Sequence, residues 1–315
     1  MRRPRFRSIS RSAAPALLLL ALLGAAGCAP SRPSLPPTPP PAGGAPPSAV
    51  RFGIVTDVHY ADIEPRGARA YRESAAKLRE FVAIMDREKP DFVMELGDFK
   101  DQDDKPDEAR TLGYLRKIES IFAGFAGLRY HVLGNHDLDT LSKAQFSAIA
   151  PNPGVPPEWS FYRFDVRGLR FLVLDAEFRA DGDPYDHGRF SWSDSNIPPA
   201  EIDWLRSELT ASPKPVIVFV HQPLDGQGDY YVRNAAAVRG LFERSGKVLA
   251  VFQGHRHEGA FTRIKGVPYY TLKAMIEGSG PENSSYALVE AEAKGAIRIR
   301  GFRRAESLIL KKESP

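Results

Sequence analysis

The chain predicts an α/β protein, a four-layer α/β/β/α sandwich of two mixed sheets, and three observations carry that expectation. In the first half of the body, β-branched and aromatic runs alternate with helical periodicities, the pattern of parallel strands joined by helical crossovers. In the second half, short apolar runs flank two-residue turn signals, the pattern of hairpins. Finally, five of the runs stop at residues of one chemical kind, Asp, Asn or His. In an open α/β sheet the carboxyl ends of the strands line a single crevice.

Taken in order, residues 52–56 read as the first strand. Residues 68–87 follow as a helix, with Tyr71, Ala75, Leu78, Phe81, Val82 and Met85 at helical spacing. A strand at 92–96, a helix at 106–123 and a strand at 130–133 complete the alternating part. Residues 161–166 and 169–174 flank Arg167-Gly168, and 261–264 and 269–272 flank Lys265-Gly266, so both pairs read as hairpins. Between them lie strands at 216–220 and 248–252 and helices at 199–210 and 234–244. A last β pair is expected at 286–290 and 296–302. Residues 51–305 are enough for one sizeable domain, and 306–315 read as a C-terminal tail. The least regular stretch, 176–198, holds Asp181, Asp183, Asp186 and His187, a cluster open to three readings: solvated loop, third metal site or substrate lid.

Residues 1–28 read as an export signal. Arg2, Arg3, Arg5, Arg7 and Arg11 precede a short apolar run at 16–23, too short to span a bilayer comfortably, and small residues lead to Cys28. Ala25-Ala26-Gly27-Cys28 resembles the lipobox of bacterial lipoproteins, with Ala25 where Leu is usual. That resemblance implies acylation of Cys28, the sole cysteine, and a protein anchored on the periplasmic or cell-surface side of a bacterial membrane. The Pro-rich segment 29–50 cannot bury a core and reads as a tether, on the order of 60 Å when extended. The formal net charge of +4 comes from the signal. Five of the 43 basic residues and none of the 39 acidic ones lie in 1–27, so the remainder is near −1 and gives no reason to expect nucleic acid as a partner.

The strand-end residues are Asp57, His59, Asp98, Asn135, His221, His255 and His257. Singly, Asp57, Asp98 and Asn135 are ordinary turn or cap residues. As a set they are not ordinary. Five of the seven histidines (His59, His136, His221, His255, His257) fall at such positions, leaving only His131 and His187 elsewhere. The mixture of imidazole, carboxylate and amide suits borderline transition metals. Seven donors also exceed what one ion would need beside water and substrate.

Asp57-Val58-His59, Gly97-Asp98, Gly134-Asn135-His136-Asp137, His221 and Gly254-His255-Arg256-His257, in that order, resemble the signature of the calcineurin-like metallophosphoesterases. The resemblance implies the same layered sandwich and two divalent metal ions (Mn²⁺, Fe²⁺ or Zn²⁺). Asp57, His59 and His257 would hold one ion and Asn135, His221 and His255 the other, with Asp98 bridging. It further implies a metal-bridging hydroxide as nucleophile, and His136 as the acid that protonates the leaving oxygen. Asp137 would orient His136 or simply cap a helix, and Asp101 is the second acid of the Gly-Asp-x-x-Asp form. Residues 52–62, 171–176 and 188–191, Gly254–Gly259 and Ile276-Glu277-Gly278 resemble manganese-dependent ADP-ribose/CDP-alcohol diphosphatases, a branch that often has Gln where this chain has His59. The expectation is an exported hydrolase of small phosphoric esters or anhydrides, leaning to nucleotide-type substrates. The alternatives are a cyclic-nucleotide or phospholipid phosphodiesterase on the same scaffold, and a non-catalytic surface lipoprotein. The last would be marked by loss of His136 or Asp98, and both are present.

Overall fold

Side-chain alternation sorts the strands into layers. In β1 (Ala49–Val55), Val50, Phe52 and Ile54 face one buried cluster, while Val55 faces another. In β6 (Val216–Phe219), Ile217 and Phe219 join the same central cluster as Phe52, and Val216 and Val218 face away from it. This is the period of two expected of strands covered on both sides. The central cluster is the seam between two sheets, rich in stacked and edge-on rings such as Phe52, Phe92, Phe164, Phe171, Phe219 and Phe252.

The computed structural model describes residues 49–311 of the 315. The expected export signal, Cys28 and all of the linker except its last two residues lie outside the described residues. Ala49 and Val50 belong to β1, where Val50 pairs with Ala291, so the domain begins two residues before the expected boundary.

One sheet joins β1 to β2 (Phe92–Glu95), β3 (Leu128–His131), β10 (Ser285–Glu292), β11 (Ala296–Arg303) and β12 (Leu308–Lys311), in the order β12-β11-β10-β1-β2-β3. The other joins β4 (Tyr162–Val166), β5 (Leu169–Val173), β6, β7 (Val248–Gln253), β8 (Ala260–Ile264) and β9 (Val267–Thr271), in the order β4-β5-β6-β7-β9-β8. Both are mixed. β1, β2 and β3 run parallel, as do β5, β6, β7 and β9, with antiparallel partners outside them. Helices α1 (Ser74–Glu88), α2 (Glu108–Phe122) and α3 (Lys143–Ile149) cover the first sheet. Helices α4 (Pro199–Ala211) and α5 (Ala235–Ser245) cover the second. The expected four layers are all there.

Besides shifted strand ends, such as β3 at Leu128–His131 against the expected 130–133, three elements differ from expectation. The helix expected from residue 68 begins at Ser74, after a single tight turn at Tyr71–Glu73. The backbone of 68–70 is engaged elsewhere: Ala70 donates to the Ile276 carbonyl, and the Ala68 carbonyl accepts from Gly278. The seven-residue α3 is too short for periodicity, although its reciprocal Ser142/Gln145 cap is a readable start signal. The reading of 306–315 as a tail is corrected by β12, which pairs antiparallel with β11 and buries Leu310. Leu308-Ile309-Leu310 shows no apolar/polar alternation in the sequence, because the residue exposed between its neighbours, Ile309, is itself apolar.

Candidate metal centre

The parallel strands of both sheets deliver their carboxyl ends to one crevice. β1 leads to Asp57 and His59, β2 to Asp98, β3 to Asn135, β6 to His221 and β7 to His255 and His257. The loops are tied together by backbone bonds. Asp57 donates to the Gly97 carbonyl (3.0 Å) and His59 to the Asp98 carbonyl (2.9 Å), while Met275 and Ile276 donate back to Thr56 and Asp57 (3.1 and 3.0 Å). Asp57, His59, Asp98 and His255 all hold positive φ, 50°, 45°, 58° and 66°. Non-glycine residues avoid that region, and such strain collects at functional sites. Gly97 is also left-handed (φ 99°), and any side chain on it would strike the His221 ring. One on Gly134 would strike Asp98.

The donor atoms converge. His257 Nε2 lies 3.3 Å from Asp57 Oδ1 and 3.2 Å from His59 Nε2. His221 Nε2 lies 3.2 Å from Asp98 Oδ2, and His59 Nε2 lies 3.5 Å from the same oxygen. Among the described residues four groups have donor atoms within 4.8 Å of one another: Asp57/His59/His257, Asp98/His221/His255, and two that include His136, His59/Asp98/His136 and Asp101/His136/Asp139. Asp98 faces both of the first two. The buried Asp57 Oδ1, Asn135 Oδ1, His221 Nε2 and His255 Nε2 have no hydrogen-bond partner. Buried polar atoms are rarely left so, and four of them aimed into one crevice fit divalent cations.

The remote ring nitrogens are fixed from behind. His59 Nδ1 meets Asp101 Oδ2 (3.1 Å), His257 Nδ1 meets Glu277 Oε1 (2.6 Å), and His221 Nδ1 meets the Leu96 carbonyl (2.8 Å). Such partners set the tautomer and leave Nε2 free for a metal. Burial opposes charge throughout, yet the histidines hold the carboxyls of Asp57 and Asp98 well below the usual range. Burial is likewise outweighed at His221, which Asp98 and Asp57 push up to about 10. His257 rises to about 9 through Asp57 and Glu277, whereas burial and its neighbour His221 bring His255 down to about 3.

His136 stands beside this cluster, its ring 4.6 Å from that of His59. Its backbone N–H donates to Asp98 Oδ1 (2.7 Å). Its Nδ1 lies 2.7 Å from Asp139 Oδ2 and 3.6 Å from Asp101 Oδ2. Burial disfavours its charge, but Asp139, Asp101 and Asp98 prevail and hold its pKa well above the ordinary value. Asp137 does not orient the ring. It accepts backbone N–H bonds from Gly134, Asp98, Phe99 and Lys100, so it shapes the loop that presents Asp98.

Sequence reading missed Asp139, and it missed Arg69. Arg69 pairs its backbone with Glu277, and its half-buried guanidinium is drawn to Tyr71, Asp101 and Asp98, whose pull exceeds the cost of burial. In the 176–198 loop Asp181 and Asp183 pair with Arg179, and Asp186 with His187. No metal-binding group forms there among the described residues.

The fold and the paired donor groups define a binuclear metallohydrolase. Residues 50–259 match the family model of calcineurin-like phosphoesterases, and the chain belongs to that family. It is a phosphoric ester hydrolase that uses two divalent metal ions. It is similar to the manganese-dependent ADP-ribose/CDP-alcohol diphosphatase of Oryza sativa subsp. japonica, 28% identical over 76% of this chain and 87% of the relative. A glycerophosphodiester phosphodiesterase of Enterobacter lignolyticus is 27% identical over 60% of this chain and 64% of its own. In fold, the chain is similar to a dimetal phosphatase from Danio rerio (TM-score 0.72, 22% identity, 84% of this chain and 99% of that one).

Proposed function

We propose that this phosphoesterase cleaves nucleotide-type diphosphates such as ADP-ribose or CDP-alcohols, with manganese as its preferred metal. The observation that carries the reading is the pair of donor groups with Asp98 within reach of both, and His136, paired with Asp139, beside them. The manganese-dependent diphosphatase relative supplies the substrate class. Asp57, His59 and His257 would hold one ion and Asn135, His221 and His255 the other, with Asp98 shared between them. Two cations 3.5–4 Å apart repel, so the shared ligand is best a carboxylate. When bound, the ions supply Lewis acidity toward phosphoryl oxygens and acidify a water.

The rest is the chain's own work. His136, paired with Asp139 and Asp101, which favour its charged form, would donate its proton to the departing phosphate oxygen. Asp98 also accepts the His136 backbone N–H, so the bridging carboxylate and the acid stay in register. Arg69 offers a guanidinium to a non-reacting phosphoryl oxygen. Export and lipidation at Cys28 complete the proposal, on the strength of the signal-like N-terminus and lipobox-like segment. Cys28→Ser should then release the protein from membranes or block its processing; soluble wild-type protein without an acyl label would contradict the anchor.

A substrate panel tests the function: ADP-ribose, CDP-choline, glycerophosphocholine, a cyclic nucleotide and a phosphomonoester, each with Mn²⁺, Fe²⁺, Zn²⁺ and Mg²⁺. The reading predicts the highest kcat/KM for the two diphosphates with Mn²⁺. A preference for glycerophosphocholine would favour the diester alternative.

A further inference from the structure

Five large apolar side chains are conspicuously exposed, and three of them, Leu128, Phe261 and Ile309, lie on the edge strands β3, β8 and β12. Scattered exposure of that kind is ordinary. The other two, Trp192 (42% exposed) and Tyr230 (52%), stand together. Their ring centroids are 5.2 Å apart at an interplanar angle of 50°, and each ring lies 5.8 Å from that of His255. They come from separate loops, Trp192 from the irregular 176–198 stretch and Tyr230 from the segment between β6 and α5. A tilted pair leaves aromatic faces open to solvent, and pairing for stability alone would bury them. One edge of the pair abuts a buried residue of the metal centre.

We propose that Trp192 and Tyr230 form a stacking platform for the purine or pyrimidine ring of the substrate, placing the nucleoside on the His255 side of the centre. This deepens the nucleotide-diphosphate reading and rests on it. Every base has a π-face, so stacking on Trp or Tyr tolerates different bases, which suits a site that accepts both adenine and cytosine. The position also assigns an orientation. A phosphoryl group over Asp98 would lie between the platform on the His255 side and Arg69, whose backbone pairs with Glu277 beside His257. The half of the substrate without a base would therefore extend toward Arg69. The 176–198 loop thereby gains a binding role, in place of a third metal.

The test measures binding and turnover separately on the manganese-loaded protein. AMP and base-free ribose 5-phosphate are titrated by calorimetry into wild type, Trp192→Ala/Tyr230→Ala, the conservative Trp192→Phe/Tyr230→Phe, and Phe261→Ala as a control for a lost surface aromatic. The platform predicts that the preference for AMP over ribose 5-phosphate falls about tenfold in the alanine pair, returns in the phenylalanine pair and is untouched by Phe261→Ala. AMP should also quench wild-type tryptophan emission. An unchanged preference in the alanine pair overturns the platform, even if nucleoside diphosphates are hydrolysed and the proposed function stands. A collapsed preference in a protein that does not hydrolyse them supports the platform and removes the proposed substrate.

Discussion

The two halves of the metal centre are built differently. In the half made by Asp57, His59 and His257, both imidazoles are backed by carboxylates, Asp101 and Glu277. In the half made by Asn135, His221 and His255, the ligand set contains a neutral amide, His221 is backed only by the Leu96 carbonyl, and His255 is flanked by the exposed rings of Trp192 and Tyr230. The same residue type ends at opposite extremes: His257 is pushed up to about 9 and His255 down to about 3. A carboxylate behind an imidazole raises its basicity and strengthens its hold on a cation. The first half should therefore be the tighter metal site, and on the proposed platform the second half is the one beside the nucleoside.

Asp98 belongs to both halves, so its loss should have the largest effect. Asp98→Asn should empty both sites on dialysis and lower kcat/KM at least about a thousandfold, on the order of 4 kcal/mol in the barrier. Retained metal and rate would end the bridging role. Next comes His136→Ala, which should keep both ions and lose about a hundredfold in kcat. The defect should shrink with a p-nitrophenolate leaving group, which needs little protonation. An equal loss for good and poor leaving groups would make His136 a charge stabiliser instead.

Glu277→Gln breaks the comparison itself. It should weaken one ion by about ten- to a hundredfold and leave the other in place, read as two separated phases in a metal titration. Simultaneous loss of both ions would show that the halves do not act independently. Arg69→Ala should raise KM for a diphosphate about tenfold with a smaller change in kcat, since it removes a charged hydrogen bond made to bound substrate.

An effect on stability alone lies behind β2 and β3, where His131 sits between Glu95 and Glu119. Burial pushes Glu95 up to about 8, and His131, despite burial, is raised to about 9 by Glu119 and Glu95. Both folded values exceed the ordinary 4.5 and 6.5, so the folded chain binds these protons more tightly than the unfolded one. Their stabilisation is complete below the ordinary values and is lost as pH rises through about 8 and 9. Urea midpoints at pH 6 and pH 9 should show wild type losing about 2 kcal/mol more than His131→Gln across that interval. Parallel curves would mean that the triad shares no proton.

The ligands were legible because each sits within a few residues of a strand end, and strand ends are what hydrophobic runs mark. Of the partners behind them, Asp101 stood out as the second acid of the Gly-Asp-x-x-Asp form, but the others had no assigned role. Glu277 reaches His257 from twenty positions away, across the β8–β9 hairpin, in a stretch after β9 that has no periodicity of its own. Asp139 is only three residues from His136, but the tight turn at Asn135–Leu138 is what brings it, rather than adjacent Asp137, onto the ring. Trp192 and Tyr230 meet only because two loops from different strands converge over His255. The layers followed from alternation, while α3 was too short to show a period and β12 exposes an apolar residue, Ile309, where alternation would put a polar one.

Metal content against activity tests the central claim most directly. Protein reconstituted with Mn²⁺ and freed of excess metal should contain two ions per chain by elemental analysis, and hydrolysis of ADP-ribose should rise with occupancy of the second ion. One ion or none at full activity would contradict a binuclear centre built on Asp98.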